Sequence, residues 1–184
     1  MPQPEYVPLD DPLPIARWMA SVLRAGRPPS PSHVSSPAVR LCQAALEAGL
    51  DIRGARFNIT GEPVTAARLA VIRRTGAEAA PSYGSIECTP IGRGCLRPEA
   101  PDDVHLFHDL YPLIQAGAGG RNDLPPRSLL VSSLRLTAPV NVLNVALGDQ
   151  AELVQRACGC PLEALGWVTH LHTIRSFEKL TAGG

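Results

Sequence analysis

The sequence predicts an α/β fold, a helical and βαβ part followed by a β-rich subdomain. Three observations carry that prediction. Two N-terminal windows repeat apolar residues at helical spacing, and a strand–helix–strand succession runs from residue 54 to residue 85. Beyond Glu87 the chain breaks into short β-branched or alternating segments separated by Gly, Pro, Asn and Asp.

The elements follow in order. In "PLPIARWMASVLRA" (12–25), Ile15, Trp18, Met19, Val22 and Leu23 share a helical face, and Gly26 stops the run. The proline- and serine-rich "RPPSPSHVSS" reads as a loop. A second helix is predicted over 37–48, with Ser36 as N-cap, Pro37 in the first turn and Gly49 in the left-handed position after its end. "GARFNITG" (54–61) reads as a buried strand ending in a glycine turn. "EPVTAARLAVIRRTGA" then places Thr65, Ala66, Leu69 and Ile72 for a helix that ends at Gly76. "EAAPSYGS" is a short strand, which completes a parallel crossover unit. The β-rich segments are "VHLFHDLYPLIQ", "RSLLVSSLRL", "VNVLNVAL", "AELVQRA" and "GWVTHLHTIRS".

Composition narrows the class. At 184 residues and 45% hydrophobic side chains the chain can bury one core, as one domain or part of a larger one. Lys+Arg and Asp+Glu are both 17 and no charge run occurs, which argues against a nucleic-acid-binding surface. No apolar stretch is long enough to span a membrane, and "MPQPEYVPLDDP" is not a secretory signal, so a soluble, cytoplasmic protein is expected. An odd number of cysteines, four of them from Cys88 onward, points in that setting to metal binding or catalysis rather than disulfides.

Two motifs carry candidate chemistry. "APSYGSIECTP" (80–90) places Tyr83, Gly84, Ser85 and Glu87 at the end of a strand. The tyrosine ring can cover a flat group and the glycine lets backbone approach a ligand. The hydroxyl can donate to phosphate, and the carboxylate can hold magnesium. The same residues can equally form a plain turn. "TGEPVTAAR" (60–68) puts Gly61, Glu62 and Pro63 where α/β sheets bind ligands, at a strand's C-terminal end. Its plainer reading is a helix start with an acid favoured by the helix dipole.

In this order, a Gly-Glu-Pro turn, a helix and a Tyr-Gly-Ser-x-Glu segment, the chain resembles the adenylate-forming enzymes, which include the acyl-CoA synthetases. "LGDQAEL" (147–153) is similar to the family's Gly-Asp segment, and "HTIRSFEKLTAGG" (172–184) to its hinge. "ACGCPLEALG" lies between them, as a Cys-x-Cys segment does in the phenylacetate–CoA ligase and acyl-protein synthetase branch. The resemblance runs from about Ala55 to the C-terminus. It implies part of the large N-terminal domain of such an enzyme, with ATP or AMP as the nucleotide. Residue by residue it implies Tyr83 on adenine, Ser85 near phosphate, Glu87 on Mg2+, and Asp149 and Arg175 on the ribose. Gly61, Glu62, Pro63 and Gly84 would line the nucleotide, with Ser85 and Glu87 in the catalytic roles. A carboxylic acid and a thiol acceptor, coenzyme A or a protein thiol, are the implied partners, with a homodimer as a candidate assembly.

The cysteines add a metal candidate. Cys95 lies ten residues before His105, and Cys158 and Cys160 form Cys-Gly-Cys. These are zinc-type donors, and related ligases place a Cys/His cluster in these segments. The competing reading is that buried cysteines serve as small apolar residues. Cys88 is a spare candidate, and Cys42 reads as core. His108, His170 and His172 on probable strands receive no role. The paired aspartates of "PDDVH" read as a solvated turn.

The expected organisation is therefore a helical and βαβ part over 1–90, a β-rich subdomain with the zinc candidate over 91–174 and a hinge stub over 175–184. The glycine-rich, lysine-ended phosphate loop of the family does not occur, Lys179 is the sole lysine, and no lysine-bearing C-terminal domain follows. A piece of a carboxylate-activating ligase, inactive alone, is the expectation. The alternative is a zinc-stabilised interaction module derived from such enzymes.

Overall fold

The computed structural model describes residues 5–116, 124–135, 138 and 140–177. Among them the chain forms three α-helices and nine strands and divides into two compact units, Met1–Ala80 and Pro81–Gly184. The predicted α/β class is the observed one.

In the first unit, α1 (Leu13–Arg24) buries Ala16, Met19 and Ala20, with Ile15 and Leu23 packed against the same core. The spacing is helical, but the buried stripe is not the one expected. Trp18 is 54% exposed, because small alanines rather than the indole face inward. The segment read as a loop holds a strand, β1 (Ser32–Val34), parallel to β2 (Arg56–Thr60). Its flanking prolines cannot donate to a ladder but can accept, and Pro29 and Pro31 take the amides of Arg56 and Asn58. Between the two strands lies α2 (Ser35–Glu47), so β1–α2–β2 forms a parallel crossover.

The start of α2 corrects the expected cap. Ser35 is already helical, the cap position falls on Val34, and no side chain caps the helix end locally. The amide of Ser36 is satisfied from a distance by Glu62. Helix α3 (Ala66–Arg74) starts as its sequence suggests, with Thr65 Oγ1 accepting the Arg68 amide. Both helices end ahead of a left-handed glycine, Gly49 and Gly76.

Strand β3 (Glu78–Ser85) begins in the first unit and continues into the second. There it opens an antiparallel array with β4 (Thr89–Gly94), β5 (Val104–Leu106), β6 (Leu113–Gln115), β7 (Ser128–Val131), β8 (Val145–Gln155) and β9 (Thr169–Ser176). The lateral order in this unit is β3-β4-β5-β9-β8-β7-β6. Its core contains Tyr83, Ile91, Val104, Leu106, Tyr111, Leu129, Val131, Ala151 and Leu171. The β-rich second part is thus as predicted.

Two registers position the chemistry. His105 on β5 lies directly opposite His170 on β9, and Asp149 on β8 opposite Ser176, next to the Gln150–Arg175 pair. On the other side of β5, Gly92 lets β4 lie close, since a Cβ there would lie 2.7 Å from the carbonyl oxygen of His105.

Candidate functional site

The second unit gathers two groups of polar side chains. The first is a Cys/His cluster. Cys95 follows β4, His105 is on β5, Cys158 lies after β8 and His170 is on β9. One donor atom from each of these four lies within 4.8 Å of all the others. The β5–β9 register stacks the two imidazoles with ring centroids 4.1 Å apart. Cys160 stands beside the group, its Sγ 3.1 Å from His105 Nε2, while Cys158 Sγ is 3.7 Å from the same nitrogen.

The cluster's hydrogen bonds fit a metal. His105 Nδ1 lies 2.6 Å from the carbonyl oxygen of Trp167, which can only accept, so Nδ1 carries a proton and Nε2 is the atom turned to the cysteines. His170 Nδ1 donates to Asp103 Oδ1 at 2.8 Å, and its buried Nε2 has no hydrogen-bond partner among the described residues. A carboxylate behind one histidine and a carbonyl behind the other are the usual outer partners of metal-binding imidazoles. Burial pushes the Cys95 thiol up to about 12. At Cys160 burial opposes ionisation, but donation from Cys158 and from the backbone amides of Glu163, Leu162 and Leu96 prevails, and the thiol falls to about 6. Left-handed Gly159 (φ +68°) provides the sharp turn between Cys158 and Cys160.

His170 was given no role from sequence, and the paired aspartates were read as solvated. The structure corrects both readings. Asp103 is fully buried and receives His170, the Glu99 amide at 2.9 Å and Arg156. Burial alone would raise its carboxyl, yet these donors hold it below the ordinary range. Asp102 is buried as well and accepts the amides of Thr173 and Ile174. His172 has its Nδ1 3.0 Å from Thr173 Oγ1, and His108 is exposed.

The second group contains Tyr83, Asp149 and Arg175. The Tyr83 hydroxyl donates to Asp149 Oδ2 at 3.1 Å. Its ring is 7% exposed and belongs to the core, so the hydroxyl rather than an open ring face reaches the group. Burial, and then the negative charge of Asp149, push the phenol well above its ordinary value. Arg175 lies on β9 one residue from the partner of Asp149, with Nη1 3.3 Å from Asp102 Oδ2. Glycine 148, left-handed at φ +78°, precedes Asp149 at the bulged part of β8.

The remaining expected residues fall at two turns. Gly84 and Ser85 end β3, and Glu87 sits exposed in the turn to β4. Donation from Ser85 holds the Glu87 carboxyl below its ordinary range. Ser85 Oγ also accepts the Cys88 amide at 3.2 Å. In the first unit, Gly61 (φ +76°), Glu62 and Pro63 form the turn after β2. Glu62 accepts from the Ser36 amide and hydroxyl and pairs with Arg68 at 3.2 Å. Arg68 also donates to the Pro63 carbonyl. Of the hinge segment, 178–184 lies outside the described residues and includes Lys179. No helix among the described residues is long and apolar enough to cross a membrane.

The sequence matches no family profile and no curated protein. Solved structures do match the fold. An open form of 2-hydroxyisobutyryl-CoA ligase, in complex with 2-HIB-AMP and CoA, superposes over 87% of this chain with a TM-score of 0.67 and 15% identity. The N-terminal domain of FACL13 from Mycobacterium tuberculosis superposes over 92% with a TM-score of 0.53 and 12% identity. The chain spans 37% and 43% of their respective lengths. The fold is therefore one found in part of 2-hydroxyisobutyryl-CoA ligase and in the FACL13 N-terminal domain.

Proposed function

We propose that this chain carries the nucleoside-facing part of an ATP-dependent ligase that activates a carboxylic acid as an acyl-adenylate and passes it to a thiol. The observation that supports this most is the hydrogen bond between Tyr83 on β3 and Asp149 on β8 in a ligase-like fold, with Arg175 one register away on β9. The resemblance carried by the order of the motifs implied a nucleotide role for each of these residues, Tyr83 on adenine and Asp149 and Arg175 on ribose.

In the proposed reaction a carboxylate oxygen attacks the α-phosphorus of ATP, forming the acyl–phosphate bond and releasing pyrophosphate. A thiol sulfur then attacks the acyl carbon and expels AMP. Asp149 accepts from the ribose hydroxyls, oriented by the Tyr83 hydroxyl, while Arg175 donates to the same sugar. The exposed backbone at Gly84 lies against the base, and the Ser85 hydroxyl donates to phosphate. Glu87, exposed in the turn to β4, fits a magnesium ion bound mainly through substrate phosphates, since such ions take only one or two protein carboxylates. The acid and the thiol, coenzyme A or a protein thiol, belong to the whole reaction.

The Cys/His cluster is assigned to a structural zinc ion, in line with the phenylacetate–CoA ligase branch. The proposed donors are Cys95, His105, Cys158 and His170, with Cys160 beside them. Bound there, zinc would join the ends of β4, β8 and β9 and add binding free energy to folding.

Isothermal titration with ATP–Mg2+ tests the nucleotide assignment. Weak saturable binding is expected, and Asp149→Ala should reduce it about tenfold or more, as expected for losing hydrogen bonds to a charged group. Equal affinity in wild type and variant would remove Asp149 from the site. No binding at about 10 mM, beyond the millimolar range that corresponds to about 4 kcal/mol, would end the nucleotide reading.

A further inference from the structure

The aspartates at 102 and 103 are both buried, yet they hold different parts of β9. Asp103 fixes His170 at the Cys/His cluster. Asp102 fixes the segment that leads to Arg175. Its Oδ1 accepts the Thr173 amide at 3.1 Å, and its Oδ2 accepts the Ile174 amide at 2.8 Å and faces Arg175 Nη1 at 3.3 Å. Between these anchors Thr173 adopts φ +55°, a left-handed conformation that β-branched residues rarely enter. Such strain persists where the surroundings over-determine it, and two amides converging on one buried carboxylate do so here.

We infer that Asp102 is a positioning residue for Arg175, and that its peptide link to Asp103 couples Arg175 to the Cys/His cluster. Metal held by His170 Nε2 fixes the imidazole, and its Nδ1 fixes Asp103. The neighbouring Asp102 then holds the left-handed Thr173 and, through it, the start of the Arg175 side chain. The metal on this view orders a residue of the nucleotide-facing group as well as stapling strands. The inference rests on the metal assignment given above and is independent of nucleotide binding.

Amide hydrogen exchange by NMR on the full chain tests it, metal-free and with one equivalent of Zn(II). Zinc should slow exchange at Thr173 and Ile174 by about tenfold beyond any change at the core amides of Leu129 and Val131. Asp103→Asn, which leaves the Asp102 hydrogen bonds in place, should abolish that gain. The Arg175 Nε–H resonance reports positioning itself, and zinc should shift it in wild type but not in Asp102→Asn. Bound zinc with unchanged exchange at Thr173 and Ile174 overturns the coupling and leaves the metal assignment standing. Zinc that fails to bind, by metal analysis of the same sample, overturns both. Should a variant lose protection at Leu129 and Val131, and hence its fold, the wild-type comparison still decides.

Discussion

Tyr83 holds its place through two opposed tendencies. Its ring is packed in the second core while its hydroxyl must find a polar partner, and Asp149 supplies one. Because the folded phenol is pushed upward, it stays protonated where the unfolded one ionises. Its contribution to stability is complete below the unfolded value of about 10 and is lost as pH rises through the folded value. Tyr83→Phe should therefore flatten the alkaline loss of stability above about pH 10, read as urea midpoints across the pH range. Parallel wild-type and variant curves would show that Asp149 does not depend on this phenol. At the same scale, the sequence singled out Cys95, His105, Cys158 and Cys160 as zinc-type donors, and the structure gathers the first three with His170. The sequence could not reveal His170, Asp102 or Asp103. Their role depends on the β5–β9 register, which no local pattern encodes, and two adjacent aspartates near prolines look the same solvated or buried. Arg156, the other charged partner of Asp103, carried no signal either.

At the scale of elements, close approach of strands builds the cluster. β4 can lie against β5 at His105 because Gly92 has no side chain, and Val104 Cγ2 also comes within 3.0 Å of where its Cβ would be. Gly92→Ala should push the strands apart, costing about 1–3 kcal/mol as overpacked sites do, and should weaken zinc binding in step. The urea midpoint and a zinc competition titration check this, and an unchanged zinc affinity would show that Cys95 and His105 do not rely on this contact. Helices with apolar periodicity and glycine stops were legible in the sequence because their signals are local. Strand β1 was not, since three residues among prolines carry no alternation and owe their pairing to β2. The start of α2 was missed for a related reason. The Ser36 amide in its first turn is met by Glu62, 26 residues further on, rather than by a neighbouring hydroxyl.

For the whole molecule, order along the chain outweighed any single motif. Gly-Glu-Pro, Tyr-Gly-Ser-x-Glu, Gly-Asp and the hinge arginine are each ordinary alone, yet their succession pointed to the fold that solved ligases share over most of this chain. Pairing of β8 with β9 then brings Asp149 and Arg175 to adjacent registers, and Tyr83 on β3 reaches Asp149 through its hydroxyl. The central claim is that these three residues face a nucleoside. An amide NMR titration of the chain with AMP tests it most directly. The expected result is saturable shifts concentrated at Tyr83, Gly84, Gly148, Asp149, Gln150, Arg175 and Ser176, and lost in Asp149→Ala. No shift at these positions at saturating AMP, or shifts that persist in Asp149→Ala, would contradict the claim.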